Sequence, residues 1–436
     1  MRGSGPLYPK LRPGPGRSTE QVVANQRARL IGAMVELVAE RGYRGVTVRG
    51  LSRLAGVSTK AFYDCFRNVE DCFAATHARI VHDTLRRATD PTFASDGRPR
   101  SRIRAFFAAL SEEPKAGRLV LVDAPAAGPA MVAKTRRASR ALERFIVDEL
   151  MAAAAPLPVQ RRIADGAAAA GLHLVRSRLL SGHSQPAARI ADDFFDWLLA
   201  LRGGASLEEG VYAAPGRAVT EPSTELGDDR SFLLAAALRL SLREGYASLT
   251  VPAICREAGV PRRSFDQHFD GVTSCFLAAV EFRFADSLAW ATHRATSGDS
   301  WERAVARTVL YLCADFGSEP GLARLSLVDV LAPGEPALRL RERTITRLAR
   351  ILRQATPADA RPEQLAAEAS VAAAIKIAAS AAADGRAERI GRAAPAVAFV
   401  VLAPAAGVGV AERVIASELR GPTRGFGVRK HSTDFS

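Results

Sequence analysis

One short pattern occurs twice in this chain. GVSTKAFYDCF (Gly56–Phe66) returns as GVPRRSFDQHF (Gly259–Phe269), so Gly56, Val57, Phe62 and Phe66 are matched by Gly259, Val260, Phe265 and Phe269, 203 positions further on. The same spacing links Gly42-Tyr43 to Gly245-Tyr246, Thr47-Val48 to Thr250-Val251 and Cys72-Phe73 to Cys275-Phe276. Near the far ends it links Leu199-Ala200 to Leu402-Ala403 and Gly204 to Gly407. Between them Leu121–Asp123 returns as Leu327–Asp329, 206 positions on, which three extra loop residues account for. A fixed self-similarity of this length means one folding unit of roughly 190 residues used twice.

The unit is helical. Ala, Leu, Arg and Glu dominate, β-branched runs are scarce, and no segment alternates as a strand does. NQRARLIGAMVELVAERG places Leu30, Ile31, Met34, Leu37 and Val38 at helical spacing and stops at Gly42. ARIVHDTLRR and FFDWLLALRG read the same way. The expected organisation is a basic Pro/Gly arm over 1–18, a three-helix domain over 19–71 and a helical domain over 72–206. An acidic Gly/Pro linker follows over 207–227, then a second three-helix domain over 228–274, a second helical domain over 275–419 and a tail over 420–436.

Within 19–71 the signals are sharp. Thr47 is an N-cap for a helix with Val48, Leu51, Leu54 and Ala55 on its apolar face. Gly56 breaks that helix, Ser58 caps the next, and Val57 with Phe62 forms a hydrophobic staple. Phe62, Cys65 and Phe66 make the buried stripe, which leaves Thr59, Lys60 and Tyr63 outward; Arg49 and Arg53 lie off the stripe of the preceding helix. Two short helices joined by a Gly turn, with polar and basic residues outward, form a helix-turn-helix pattern. Lys60 and Thr59 can reach base edges or phosphates in a major groove; Tyr63, Ser58 and Arg67 suit phosphate oxygens. Arg2, Lys10, Arg12, Arg17, Arg27 and Arg29 before the motif, against Glu20 alone, extend the basic character. The chain as a whole has 60 Lys and Arg against 46 Asp and Glu, a net charge of +14, which suits an anionic partner.

The stretch GYRGVTVRGLSRLAGVSTKAFYDCFRNVEDCF (Gly42–Phe73) resembles the DNA-binding domain of the TetR family of bacterial transcriptional regulators. Its marks are Gly42-Tyr43, Thr47-Val48, the turn Ala55–Ser58, and Phe62-Tyr63 leading to Phe66. LVDAPAAGPA, LVDVLAPGEPA and VVLAPAAG are similar to stretches of that family's ligand and dimerisation domains. The resemblance implies an all-α regulator, normally a homodimer and commonly a repressor, whose second domain binds an effector. Two units in one chain depart from that pattern, so the pair of heads is expected either within one chain, as a pseudo-dimer, or between two chains. Double-stranded operator DNA, read by heads roughly 34–36 Å apart, is the expected partner. A bacterial cytoplasm, without membrane insertion, is the expected location.

The second copy keeps the core and changes the reading face. Ser58, Tyr63, Arg67 and Arg49 become Pro261, Asp266, Asp270 and Pro252. The first motif is strongly basic, whereas acids slightly outnumber cations in the second. Carboxylates close to phosphate are costly, so the second motif is expected to be weakened or mainly structural, with Arg262, Arg263, Gln267 and His268 as its remaining contacts.

No constellation supports catalysis, a metal or a cofactor. The five cysteines form no CxxC pair, and the seven histidines are scattered, with His77 and His82 diverging on one helix at solvated or core-edge positions. RPGPGRS lacks the Gly and Lys spacing of a phosphate loop, and no Gly-x-Ser-x-Gly elbow occurs. Pro and Gly make Ala393–Val410 a packed helix with a broken end rather than a membrane span. A small apolar effector would sit between helices. Candidate linings are Phe106, Phe107, Leu110, His173 and Phe194 in the first unit, and Trp301, Tyr311, Phe316 and Leu327 in the second. The competing expectation is a helical ligand-binding or protein-interaction protein that has lost specific DNA binding.

Overall fold

Each repeat begins with the same local devices. Thr47 and Thr250 accept a hydrogen bond from the backbone N–H three residues on, and Gly56 and Gly259 take left-handed backbone (φ 61° and 71°) to end the helices so started. The computed structural model describes residues 19–92, 98–150, 158–181, 186–202, 228–295, 300–383 and 386–420. All regular structure among them is helical. The first unit runs α1 (Thr19–Arg41), α2 (Val48–Ala55), α3 (Thr59–Cys65), α4 (Val69–Thr89), α5 (Pro99–Glu112), α6 (Pro114–Arg118), α7 (Ala124–Ala126), α8 (Pro129–Leu150), α9 (Pro158–Ser181) and α10 (Ala187–Leu199). The second runs α11 (Asp229–Glu244), α12 (Val251–Ala258), α13 (Arg262–His268), α14 (Val272–Ala295), α15 (Trp301–Ser318), α16 (Pro320–Leu327), α17 (Glu335–Ala355), α18 (Gln364–Ala382), α19 (Ala387–Ala406) and α20 (Val408–Arg420). The N-terminal arm and all but the first residue of the tail lie outside the described residues, as does the linker.

The two units meet through equivalent helices. α9 packs along α18, α19 also reaches α9, and α10 also reaches α18. Small residues permit the approach: a Cβ on Gly166 would stand 2.9 Å from Ile377 Cδ1 and 3.2 Å from the Ala373 carbonyl. Trp197 Nε1 donates to Ser370 Oγ (2.9 Å) and Arg162 donates to the Arg392 carbonyl (2.6 Å). α18 and residues 389–406 of α19 are long and apolar enough to cross a membrane, but 61% and 72% of these stretches is buried inside the protein. They are the centre of the shared core, and the apolar run of α19 stops at Gly407, which has φ 82°.

That core is continuous from the first helix-turn-helix through α9 and α10 to α15, α18 and α19. The second helix-turn-helix has a separate apolar cluster, built from α11–α14 with Leu322, Leu325 and Val330. The seam between the clusters has a cause. In the first unit α4 packs along α8; in the second, the equivalent α14 and α17 touch over a shorter stretch and leave a cavity.

Two sequence expectations are corrected here. Leu54 is not on the buried face of α2 but 52% exposed. His77, expected at a solvated or core-edge position, is fully buried in α4, and neither ring nitrogen has a partner among the described residues. Burial pushes its pKa down to about 4, from the ordinary 6.5. A base with a depressed folded pKa stabilises the fold above 6.5 and loses that contribution as pH falls through 4. Wild type should therefore lose roughly 2–3 kcal/mol more than His77→Leu between pH 7 and pH 4.5. The difference between the two urea-unfolding curves is the measure, because buried Asp123 titrates in the opposite sense: burial pushes its pKa up to about 6 against the pull of Arg118. Parallel pH dependences would show that His77 is solvated.

Candidate nucleic-acid interface

The first reading head is fixed from behind. Phe62 is fully buried and Phe66 nearly so, their rings 6.0 Å apart, and burying each such side chain contributes roughly 1.5–3 kcal/mol. Ser58 accepts from the Ala61 N–H (3.0 Å), which fixes the start of α3. Arg29 donates to the Gly56 carbonyl (2.9 Å). Arg27 donates to the Cys65 carbonyl (2.7 Å) and lies over the Phe66 ring, 4.3 Å from its centroid. Arg27 and Arg29, expected as part of the basic arm, are thus tied to the end of α3 and to the turn. Sequence alone offered no signal for this, because the contacts span 27 and 38 positions.

What remains outward is the reading face. Thr59, Lys60 and Tyr63 are exposed on α3, Tyr63 by 57%. Arg49 and Arg53 are exposed on α2, and neither they nor Lys60 have a carboxylate partner among the described residues. Arg67 is exposed and 3.5 Å from Asp71, an i,i+4 pair in solvent. Ser58 has its oxygen committed to the cap, so only its hydroxyl hydrogen is free to donate.

The second head has the same frame and another face. Pro261 makes no side-chain cap, and Arg262 stands 3.4 Å from Asp266, where the first head has Tyr63. Arg263, Gln267, His268 and Asp270 are exposed. Glu257 is ringed by Arg239 (2.9 Å) and Arg243 (3.4 Å), and these two arginines hold its carboxyl below the usual range. Arg239, Arg243 and Arg262 of this head therefore face carboxylates of the same head.

The expected pocket residues divide. Phe106, Phe107, Leu110 and Phe194 are closed core: Phe106 stacks on Phe145 (5.1 Å) and Phe107 tilts against Phe194 (5.4 Å). His173 is buried at the contact between units, its Nδ1 2.9 Å from Glu342 Oε2. Trp301 and Tyr311 are half-buried, and Phe316 is core against Phe284. Leu327 lines the cavity between α14 and α17. Arg341 and Ser326, also in its lining, were not singled out from the sequence, since a lone Arg in an Arg-rich helix carries no signal.

Residues 30–76 and 233–279 both match the family described as bacterial regulatory proteins, tetR family. The HTH-type transcriptional regulator BetI of Paraburkholderia phymatum is 29% identical over 188 residues, which is 40% of this chain and 93% of that protein. BetI of Burkholderia ambifaria is 29% identical over 185 residues, covering 40% and 94%. Such a relative thus has about the length of one repeat. Among solved structures, the regulator FadR of Bacillus subtilis is similar at 14% identity with a TM-score of 0.35, over 39% of this chain and 96% of that one. FadR of Bacillus halodurans gives 17% and 0.34, over 45% and 100%. With both motifs matched and both helix-turn-helix frames in place, the chain carries two helix-turn-helix domains of the tetR family in tandem, each opening a helical unit.

Proposed function

We propose that the chain is a repressor that binds operator DNA as a pseudo-dimer of its own two units, with the first head supplying most of the contact. The observation that carries this is the contrast between the heads: exposed Thr59, Lys60 and Tyr63 beside unpaired Arg49 and Arg53, against an Arg262 already facing Asp266. Unpaired cations release counterions from DNA; cations facing carboxylates do so less. The packing of α9 on α18 supports pairing within one chain. A small apolar effector changes the separation of the heads through the helices between them. The protein acts in a bacterial cytoplasm, as the role of the BetI relatives in transcription suggests.

The test is a gel shift of the full chain on DNA from upstream of its own gene, across a salt series, against scrambled DNA of equal length. Specific binding should exceed the non-specific by at least 1000-fold, on the order found for sequence-specific regulators. Equal affinity for both DNAs would favour the reading as a helical binding protein without an operator.

A further inference from the structure

The cavity of the second unit is polar where an apolar ligand alone would not need it to be. Its walls come from α14 (Val280, Phe284, Ala285, Leu288), α17 (Leu340, Leu348) and Ile375 of α18, and it encloses about 70 Å³ while opening to solvent. Into this apolar lining come Arg341 and Ser326. Arg341 has no hydrogen bond or ion pair among the described residues, and Ser326 Oγ, buried, has no partner. A half-buried guanidinium in an apolar lining, without a protein partner, is costly unless a ligand or water supplies its hydrogen bonds. Burial pulls the Arg341 pKa down to about 10, with Arg176 pushing the same way and Glu342 opposing, so it remains a cation at neutral pH. At the mouth Arg347 and Glu281 are both exposed and balance one another in charge. The first unit lacks the set. Thr135 stands at the position of Arg341, buried, with its hydroxyl donating to the Met131 carbonyl (2.9 Å).

We propose that the cavity between α14 and α17 binds a small apolar carboxylic acid, its carboxylate on Arg341 and Ser326 and its tail among Phe284, Ala285 and Leu288, so that the second unit senses while the first reads DNA. A guanidinium fork matches a carboxylate in two hydrogen bonds, and a hydroxyl adds a third. The volume suits a short branched or single-ring acid. The cavity lies on the seam between the second head's own cluster and the shared core, so an occupant would join the two. This inference rests on the reading of the chain as an effector-responsive regulator.

Calorimetry on the DNA-free full chain tests it, with isovalerate and benzoate as ligands and isovaleramide and benzamide as matched neutral controls. The acids should bind at least tenfold more tightly than the amides. Arg341→Met should remove at least tenfold of acid affinity and leave amide binding unchanged. Arg341→Lys should recover part of it, and Ala285→Phe should block both classes by filling the space. Arg341→Met is expected to fold, since it removes an unpaired charge from an apolar lining and keeps an unbranched stem. Should it fail to fold, Ser326→Ala, with a several-fold loss for acids alone, and Ala285→Phe still decide. Equal binding of acids and amides, no binding of either acid, or unchanged affinity in Arg341→Met would overturn the proposal. Because no DNA is present, failure of the operator experiment leaves this result readable, and a gel shift with and without benzoate then reports the coupling separately.

Discussion

Alanine at both Thr59 and Lys60 is expected to abolish sequence-specific DNA binding, whereas alanine at both Arg262 and Arg263 should leave most of it. A side chain that reads a base edge contributes about 1–3 kcal/mol of discrimination, so the first pair represents a loss of roughly 30-fold to about 20,000-fold. Both residues are exposed on α3, outside the Phe62 and Phe66 core, so the folded state should lose no more than about 0.5 kcal/mol. In the second head Arg262 already faces Asp266 at 3.4 Å, and a cation so placed gives up a carboxylate to gain a phosphate. Its removal should cost less than tenfold and flatten the salt dependence only slightly. Equal losses of affinity and of salt slope in the two double variants would show that both heads grip DNA alike and that Asp266 and Asp270 do not matter.

The largest expected loss of stability is at Glu342. On α17 it reaches across to the first unit, where Arg176 Nε donates to it (2.7 Å) and His173 Nδ1 stands 2.9 Å away. Burial alone would raise its pKa, but Arg176 and His173 hold the carboxyl down at about 2. Glu342→Gln leaves Arg176 and Arg341 together in a buried region with no anion. Removing one partner of a buried ion pair costs about 3–5 kcal/mol. The same contribution should be present in wild type above pH 4.5 and fade as pH falls through 2, because the depressed folded pKa is the one crossed last. Urea unfolding of Glu342→Gln and of Glu342→Gln with Arg176→Met measures it; the second change should recover much of the loss. A cost below 0.5 kcal/mol in the single variant would mean that water reaches this cluster. Arg118 with Glu335 (3.0 Å) and Lys376 with Glu143 (3.2 Å) also cross between the units, but all four side chains are partly exposed and contribute less.

The frame of each head was legible in the sequence because its signals are local. Thr47, Gly56, Ser58 and Phe62 act within one or two turns, and caps, left-handed glycines and helical periodicity are read at that range. The weakening of the second face is an expectation from Pro261 and Asp266, and the Arg262–Asp266 contact is an observation in the structure that supports proposing it. What escaped sequence reading depends on distant partners. Arg27 and Arg29 look like further cations of a basic arm until Cys65 and Gly56 are brought beside them. His77 looks like a surface histidine on a charged helix until α5 and α8 close over α4. In the first unit Phe106, Phe107 and Phe194, expected to line a pocket, are buried in the core, where Phe107 tilts against Phe194 and Phe194 stacks on Trp197. The cavity opens where α14 and α17 meet over a shorter stretch than α4 and α8 do, and that is a property of the whole unit rather than of any residue in it.

The covalent joining of α9 and α18 in one chain bears on how such a regulator would respond to its own abundance. Separate subunits must first find each other, so at low copy number the active form falls as the square of concentration. Here the partner helix is always present at the high effective concentration that a tether confers. Operator occupancy is therefore expected to rise with the first power of chain number, and to persist at dilutions where a pair of separate subunits would have come apart.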